Sequence, residues 1–377
     1  MIIILFLFLF LFLHPYVFYP ITLLILNYFK KKDLTQSENS ISELDVTLII
    51  VAHNEEKVIE KKILNSLNLD FTKRNLKIIV ASDYSTDKTN DIVLSYADRG
   101  IKLVKTANRL GRANAHNEAL KFADSSIIAY SDANTMWKKD ALSNLVKNFK
   151  NPKIGYVTGK LVYTNAGETN STSSEGLYWR IELFLRQLES SLGSITAGNG
   201  AIYAIRKECA HEIDILYSHD ISYPAEVVKR GYSSKYDSTA IAEEKAGETS
   251  NEEFKRKVRM FGRAFYFLGN NLWTLNPNKV GYIYSYFFLS HRFLRYFGGF
   301  FLLCFILTFL MFYINILSLN IWLILLTIII VIILITKTSY KLYYFLLFQV
   351  ATLLGLWNYL TGKIKPFWIS PKSTREL

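Results

Sequence analysis

With 377 residues, half of them hydrophobic, and a mean hydropathy of +0.15, the chain is too apolar for an ordinary soluble protein and has room for one large domain or two modest ones. Lys and Arg exceed Asp and Glu by 44 − 32 = 12, yet no zinc-ligand cluster or RNA-recognition signature accompanies the excess. The basic residues Lys30, Lys31, Lys32, Arg292 and Arg295 instead flank apolar runs, so an anionic membrane surface accounts for the charge, nucleic acid is set aside, and Cys209 and Cys304 match no metal, redox or disulfide pattern.

Residues 1–29 form an apolar N-terminal segment, long enough to cross a hydrocarbon core, which takes about 20 residues. No basic residue precedes this run and Lys30–Lys32 follow it, the reverse of a cleaved signal peptide. The sequence therefore predicts a retained anchor with its N-terminus outside and residue 30 onward in the cytoplasm. Pro15 and Pro20 are placed to kink or break that helix. Residues 30–44 read as a polar linker. The β-branched run in DVTLIIVAHNEE then predicts a buried strand, residues 57–67 a helix, and LKIIVAS (76–82) a second buried strand. Strand signals recur at 101–106 and 126–132, separated by a helical pattern over 112–122. This alternation predicts an α/β domain over 45–250 with a parallel sheet covered by helices on both faces.

Residues 251–296 read as interfacial, led by a basic, aromatic helix over 251–273 that suits a membrane surface. Region 297–362 holds spans near 297–316 and 319–336 and a third hydrophobic segment near 340–361, followed by a basic tail, 363–377. Three crossings put the tail outside, whereas Lys363, Lys365, Lys372 and Arg375 favour the inside. Gln349, Thr352 and Asn358 suit the third segment to the interface as well as to a span, and the sequence leaves that choice open.

In a parallel sheet, ligands sit beyond the carboxyl ends of the strands. Three predicted strands end in polar clusters there: Ala52-His53-Asn54-Glu55-Glu56, Ser82-Asp83-Tyr84-Ser85-Thr86-Asp87 and Asp132-Ala133-Asn134. Any one of them could simply cap the next helix. Three together ask for a hydrogen-bond donor or a positive group to meet their carboxylates, as a base, a ribose or a metal-bound diphosphate would.

The runs VTLIIVAHNEEKVIEKKILNSL, LKIIVASDYSTDKT, NRLGRANAHNEAL and IIAYSDANTMW, within a stretch from about Asp45 to Arg263, resemble the inverting family-2 glycosyltransferases of GT-A fold, of the membrane-bound type that builds bacterial cell walls and polysaccharides. The resemblance implies a GT-A nucleotide-sugar-binding domain, with a mixed, mostly parallel sheet, flanked by transmembrane helices. It implies that Ala52, Asn54 and Glu55 line a nucleoside pocket and that Asp83 accepts from the base, uracil by preference. Gly111 and Arg112 fall near the diphosphate, and Asp132 on a Mg²⁺ or Mn²⁺ ion that bridges the phosphates. Asn134 stands where the family has Asp; its amide oxygen can still act as a ligand but brings no charge.

The family's catalytic base belongs to an acidic pair, and Ser218-His219-Asp220 fills that place, which makes Asp220 the base for the acceptor hydroxyl. An imidazolium at His219 would lower the pKa of Asp220. Gly198, Asn199 and Gly200 match the acceptor-side loop. On the interfacial helix, Arg259 keeps the arginine of the processive Gln-x-x-Arg-Trp motif and falls near the diphosphate, while Arg256 and Met260 replace the Gln and Trp. Without that aromatic platform, single-sugar or short-chain transfer is expected. The expected partners are a nucleotide-sugar (UDP-linked by preference), a lipid-linked or glycan acceptor, the inner membrane crossed several times, and subunits of a polysaccharide assembly complex. Processive synthesis and an inactive nucleotide-sugar-binding scaffold, which Asn134 and His219 would favour, are the alternatives. A transporter is disfavoured by spans without mid-membrane charge.

Overall fold

The computed structural model describes residues 1–30, 44–71, 75–167, 170–247, 249–317 and 340–367. Linker residues 31–43, the predicted span near 319–336 and the end of the tail, from 368 on, lie outside the described residues.

Seven successive apolar or β-branched residues make β1 (Val46–Ala52) a strand with no exposed face, as its burial along the whole length shows. It pairs in parallel with β2 (Leu76–Ser82) on one side and β4 (Ile127–Asp132) on the other, and β3 (Ile101–Lys105) extends the parallel half beyond β2. The register sets Ala52 beside Ser82 and Val51 beside Asp132, so three carboxyl-terminal strand ends lie level along one edge. Further strands, β5 (Met136–Trp137), β6 (Ile154–Tyr163), β7 (Tyr203–Arg206) and β8 (Ser233–Glu244), complete an eight-stranded sheet of order β3-β2-β1-β4-β7-β6-β8-β5. The inserted β7 runs antiparallel to both neighbours, while β6 and β8 are parallel. The sheet is therefore mixed.

Strand alternation splits the core in two. Leu48, Ile50 and Ala52 face one side with α3 (Ile59–Leu67) and α6 (Ala141–Val146). Ile49 and Val51 face the other, with α5 (Arg112–Leu120) and α8 (His219–Lys229). The small residues Ala113, Ala115 and Ala119 are buried in that second core and allow α5 a close approach to the sheet.

The apolar N-terminal run forms α1 (Ile2–Leu13) and α2 (Tyr19–Phe29), joined without a break by a π-helical turn, His14–Phe18, in which Pro15 sits. Among the described residues, Ile2–Phe29 is long and apolar enough to cross a membrane; Tyr282–Tyr296 and Gly298–Ile314, bent by 62° at their break, pass the same test as a pair. A C-terminal helix, Tyr340–Leu360, packs along α9 (Ser250–Asn270). Gln349 and Thr352, the polar residues that suited this segment to the interface, are buried: Gln349 Nε2 donates to the Tyr16 hydroxyl at 3.1 Å, and Thr352 Oγ1 accepts from Gly299 N at 3.2 Å.

Helix α9 departs from the surface-helix expectation. Its Lys257 and Arg263 are buried, and Arg256 and Lys257 reach Glu175 on α7 (Asn170–Leu192) at 2.7 and 3.1 Å. Arg256 and Lys257 serve internal ion pairs, Arg263 donates to the backbone carbonyls of residues 215–217, and the C-terminal helix packs along α9.

Candidate active site

The level strand ends open on a cavity of about 320 Å³. From β1 and its loop it takes Val51, His53 and Glu55. Ala52 is not among the lining residues, a correction to its expected place: its side chain points to the α3 core, as alternation requires once Val51 faces α5. Asn54 is a second correction. It sits exposed in the left-handed region at φ 54°, which Asn tolerates. Its Oδ1 accepts from Thr86 N at 2.8 Å and its backbone N donates to Ser85 Oγ at 3.1 Å, so Asn54 braces the β1 loop against the β2 loop.

Asp83 is 3 % exposed and lines the cavity. Its carboxylate accepts from Leu110 N at 3.2 Å and from Gly111 N at 3.0 Å. Burial raises its pKa, and those two amides oppose the rise. Gly111 has φ 91°, and a Cβ there would collide with the Pro366 carbonyl, so both conformation and space require glycine. Pro366 and Phe367 thus line this end of the cavity, with the Arg109 guanidinium 4.9 Å above the Phe367 ring. No sequence pattern announces that return of the chain after its last helix.

Arg112 opens α5 directly after Gly111, and its Nη1 lies 3.0 Å from Asp132 Oδ1 at the end of β4. Beneath the turn that follows, the fully buried Lys62 Nζ donates to Thr135 O at 2.7 Å and stands 5.1 Å from the Trp137 ring. Burial lowers the Lys62 pKa to about 7, with Asp132 opposing. Asn134 lines the cavity beside Asp132. Among the described residues no three His, Cys, Asp or Glu side chains gather into a cage for a metal ion. The donor set is one carboxylate and one amide oxygen, which fits a hard cation whose remaining ligands are phosphate oxygens and water.

The acceptor-side loop closes on the same place. A Cβ at Gly200 would lie 2.7 Å from Arg112 Nη1 and 3.1 Å from Asp220 Oδ1, so glycine lets the loop, the arginine and the carboxylate converge. Gly198 N donates to Asp220 O at 2.7 Å, and a Cβ at Gly198 would strike the Tyr156 hydroxyl. Asn199 has a bracing role: its Nδ2 donates to Gly159 O at 2.8 Å and its Oδ1 accepts from Ile202 N at 3.0 Å. On α9, Arg259 and Met260 line the cavity, and burial with Arg263, Arg112 and Arg256 pushes the Arg259 pKa well below the usual guanidinium value. Arg263 donates to the carbonyls of Ile215, Leu216 and Tyr217 and so holds the segment that leads into Asp220.

His219 also lines the cavity, and its ring is paired with a second imidazole. Its Nε2 lies 2.7 Å from His116 Nδ1, with both rings buried beside Tyr130. Such a contact needs one donor and one acceptor, hence one proton between the two nitrogens. Burial first, then for His219 the charges of His116, Arg263 and Arg112, keep both pKa values well below 6.5, so His219 is neutral and brings no positive charge to its neighbour Asp220. The unfolded chain takes up these protons below pH about 6.5 while the folded chain does not, so stability is full above that pH and falls as pH drops. We expect a loss of up to about 1.4 kcal/mol per pH unit for each histidine, measured by urea unfolding between pH 7.5 and 5.5 against the His116→Gln variant. Identical profiles for the two proteins would remove the claim.

Two aromatic residues that the sequence did not single out, Tyr178 and Trp179 on α7, also line the cavity. The aromatic surface that Met260 fails to supply from α9 is therefore present on another helix. Its signal was the pairing of Tyr178-Trp179 with Glu182 and Arg186 at helical spacing, which reads locally as an ordinary amphipathic face.

A parallel half-sheet whose strand ends gather carboxylates, an arginine and a glycine loop around one cavity forms a candidate enzyme site. Residues 47–213 match the sequence model of Glycosyl transferase family 2, and this part of the chain is a glycosyltransferase domain of that kind. The poly-beta-1,6-N-acetyl-D-glucosamine synthase of Staphylococcus aureus strain COL is 25% identical over 266 residues, 64% of this chain and 63% of the relative. That of Staphylococcus epidermidis is 25% identical over 284 residues, 70% and 68% of the two chains. The chain thus spans about 63% of the length of the Staphylococcus aureus relatives. The mannosyltransferase PcManGT of Pyrobaculum calidifontis, solved with GDP-Man and Mn²⁺, shares the fold at a TM-score of 0.75 and 20% identity, over 96% of this chain and 99% of that one.

Proposed function

We propose that this glycosyltransferase moves a sugar, with inversion, from a nucleotide-sugar to an acceptor hydroxyl at the cytoplasmic face of the inner membrane. The observation that carries the proposal is the convergence of Arg112, Asp132, Gly200 and Asp220 in one cavity whose other end is Asp83. In this reading the base docks near Asp83 and Glu55, and Arg112 with Arg259 meets the diphosphate. Asp132 and Asn134 would hold a divalent cation, Mg²⁺ or Mn²⁺, which neutralises charge on the leaving diphosphate. Asp220 takes the proton from the attacking hydroxyl. The apolar run Ile2–Phe29 and the basic residues after it support a membrane anchor with the catalytic domain inside.

A second reading, processive polymer synthesis, draws on the polymer-synthase relatives and on the aromatic wall of Tyr178 and Trp179. Purified full-length protein offered UDP- and GDP-sugars with Mn²⁺ or Mg²⁺ should release nucleoside diphosphate, and product length by mass spectrometry separates the two readings. Asp132→Ala is expected to lower release by about 10²–10³-fold, since cation stabilisation is worth several kcal/mol. Release that does not depend on the cation and survives Asp132→Ala would refute the metal assignment.

A further inference from the structure

Away from Asp83, the cavity reaches a second group of charges where α7 meets the helix pair 282–296 and α2. There a single carboxylate, Glu182, accepts from Arg295 Nη1 at 2.8 Å, Arg292 Nη2 at 2.9 Å and Arg186 Nη2 at 3.3 Å, with His291 Nε2 at 3.1 Å. One further carboxylate, Glu189, joins them, and it is occupied by the Tyr19 hydroxyl at 2.6 Å, His291 Nδ1 at 2.6 Å and Thr196 N at 3.0 Å. Three buried guanidinium groups thus face two carboxylates, an excess of positive charge before His291 is counted. Both ring nitrogens of His291 face carboxylate oxygens, and its Nε2 also lies 3.0 Å from Arg295 Nη1.

Arg186 is where the excess is least compensated. It is 3 % exposed, and its Nε and Nη1 have no hydrogen-bond partner among the described residues. Its remaining polar contact, to Glu182, is long, and the guanidinium lies 4.9 Å over the Trp179 ring. Burying a guanidinium without an equal counter-charge is costly, and two unmet N–H donors add to the cost. The neighbouring ion group in the same cavity, Glu175 and Glu253 with Arg256 and Lys257, is balanced two against two. The Arg186 group differs from that one in its charge balance.

Arg186, Arg292 and Arg295 line the same cavity as Asp132 and Asp220, and Trp179, Tyr296 and Phe348 stand beside them. We infer that this end binds a phosphate group carried by the acceptor, with the acceptor's apolar remainder lying along the aromatic wall toward the membrane helices. Guanidinium groups suit phosphate because their planar N–H pairs match its oxygens. The inference rests on the glycosyltransferase reading and names the acceptor class for it. A free phosphate and a lipid phosphate headgroup share this chemistry.

The test uses the full chain in nanodiscs and reads the thermal midpoint with three probes: inorganic phosphate, a polyprenyl monophosphate, and phosphatidylglycerol as the host lipid. Wild type is expected to be stabilised by polyprenyl monophosphate. Stabilisation by inorganic phosphate as well assigns the effect to phosphate alone, and stabilisation by phosphatidylglycerol to lipid phosphates in general. Arg186→Gln is expected to leave the ligand-free midpoint unchanged or higher, because an uncompensated charge is gone, and to weaken phosphate binding at least about tenfold. Arg186→Lys should retain part of the response. Phosphate bound at the Arg112 end would survive Arg186→Gln, so an undiminished response in that variant overturns the inference, as does no response of wild type to any probe. UDP and GDP with Mn²⁺ read the donor end separately: their response without a phosphate response overturns this inference alone. Silence to both nucleotides overturns the reading beneath it.

Discussion

Asp220→Asn is expected to slow sugar transfer by about 10²–10⁴-fold, the usual worth of a positioned general base, while leaving the protein folded. The asymmetry follows from how Asp220 is held. The fold uses its backbone, through the 2.7 Å bond from Gly198 N to its carbonyl, and an asparagine keeps that bond. The carboxylate itself lies where the Gly200 loop and Arg112 meet, so the amide removes the proton acceptor and little else. Loss of the negative charge from the first turn of α8 costs about 0.3–1 kcal/mol, too little to unfold a domain. The measurement is nucleoside diphosphate release with acceptor present, beside a thermal scan of the same preparation. Undiminished turnover in the variant would remove Asp220 from the mechanism; a collapsed thermal midpoint would mean that the carboxylate serves the fold.

Glu182→Gln should give the largest loss of stability, about 3–5 kcal/mol, because it removes one carboxylate from among three buried arginines. Glu182 is 2 % exposed, and its neighbours Arg292, His291 and Arg295 hold its pKa well below the usual range against the opposing effect of burial. Taking that charge away leaves three largely buried guanidinium groups with Glu189 as the remaining carboxylate of the group. Urea unfolding of the full chain in detergent checks the figure. A change of less than about 1 kcal/mol would place the group among solvent-screened surface pairs.

The parts of this molecule that sequence made legible are those with a local signal. Strands β1, β2 and β4 announce themselves as short β-branched runs, and the polar residues after them mark the right edge of the sheet. Assigning roles within those clusters fared less well. Ala52 and Asn54 belong to a cluster at the cavity edge, but strand alternation turns one into the core and a loop-bracing geometry uses the other. The antiparallel insertion of β7 between β4 and β6 has no local mark, since an inserted strand obeys the same periodicity in either direction. The least legible features join residues far apart in the chain: Lys62 beneath Thr135, His116 against His219, and Glu182 against Arg295. Each is a polar residue that, on its own helix, reads as an ordinary solvated position. Only the neighbours brought by the fold give it a function.

The close crossing of α9 and the C-terminal helix carries a mechanical implication. A Cβ at Gly355 would collide with Phe261, so the two helices approach closely at that point, beside the edge-to-face pair of Phe261 and Phe348. Phe261 directly follows Met260 and lies two residues beyond Arg259, both of which face the cavity. A shift of the C-terminal helix would therefore bear on α9 two residues from Arg259, which makes the tail helix and that arginine mechanical neighbours.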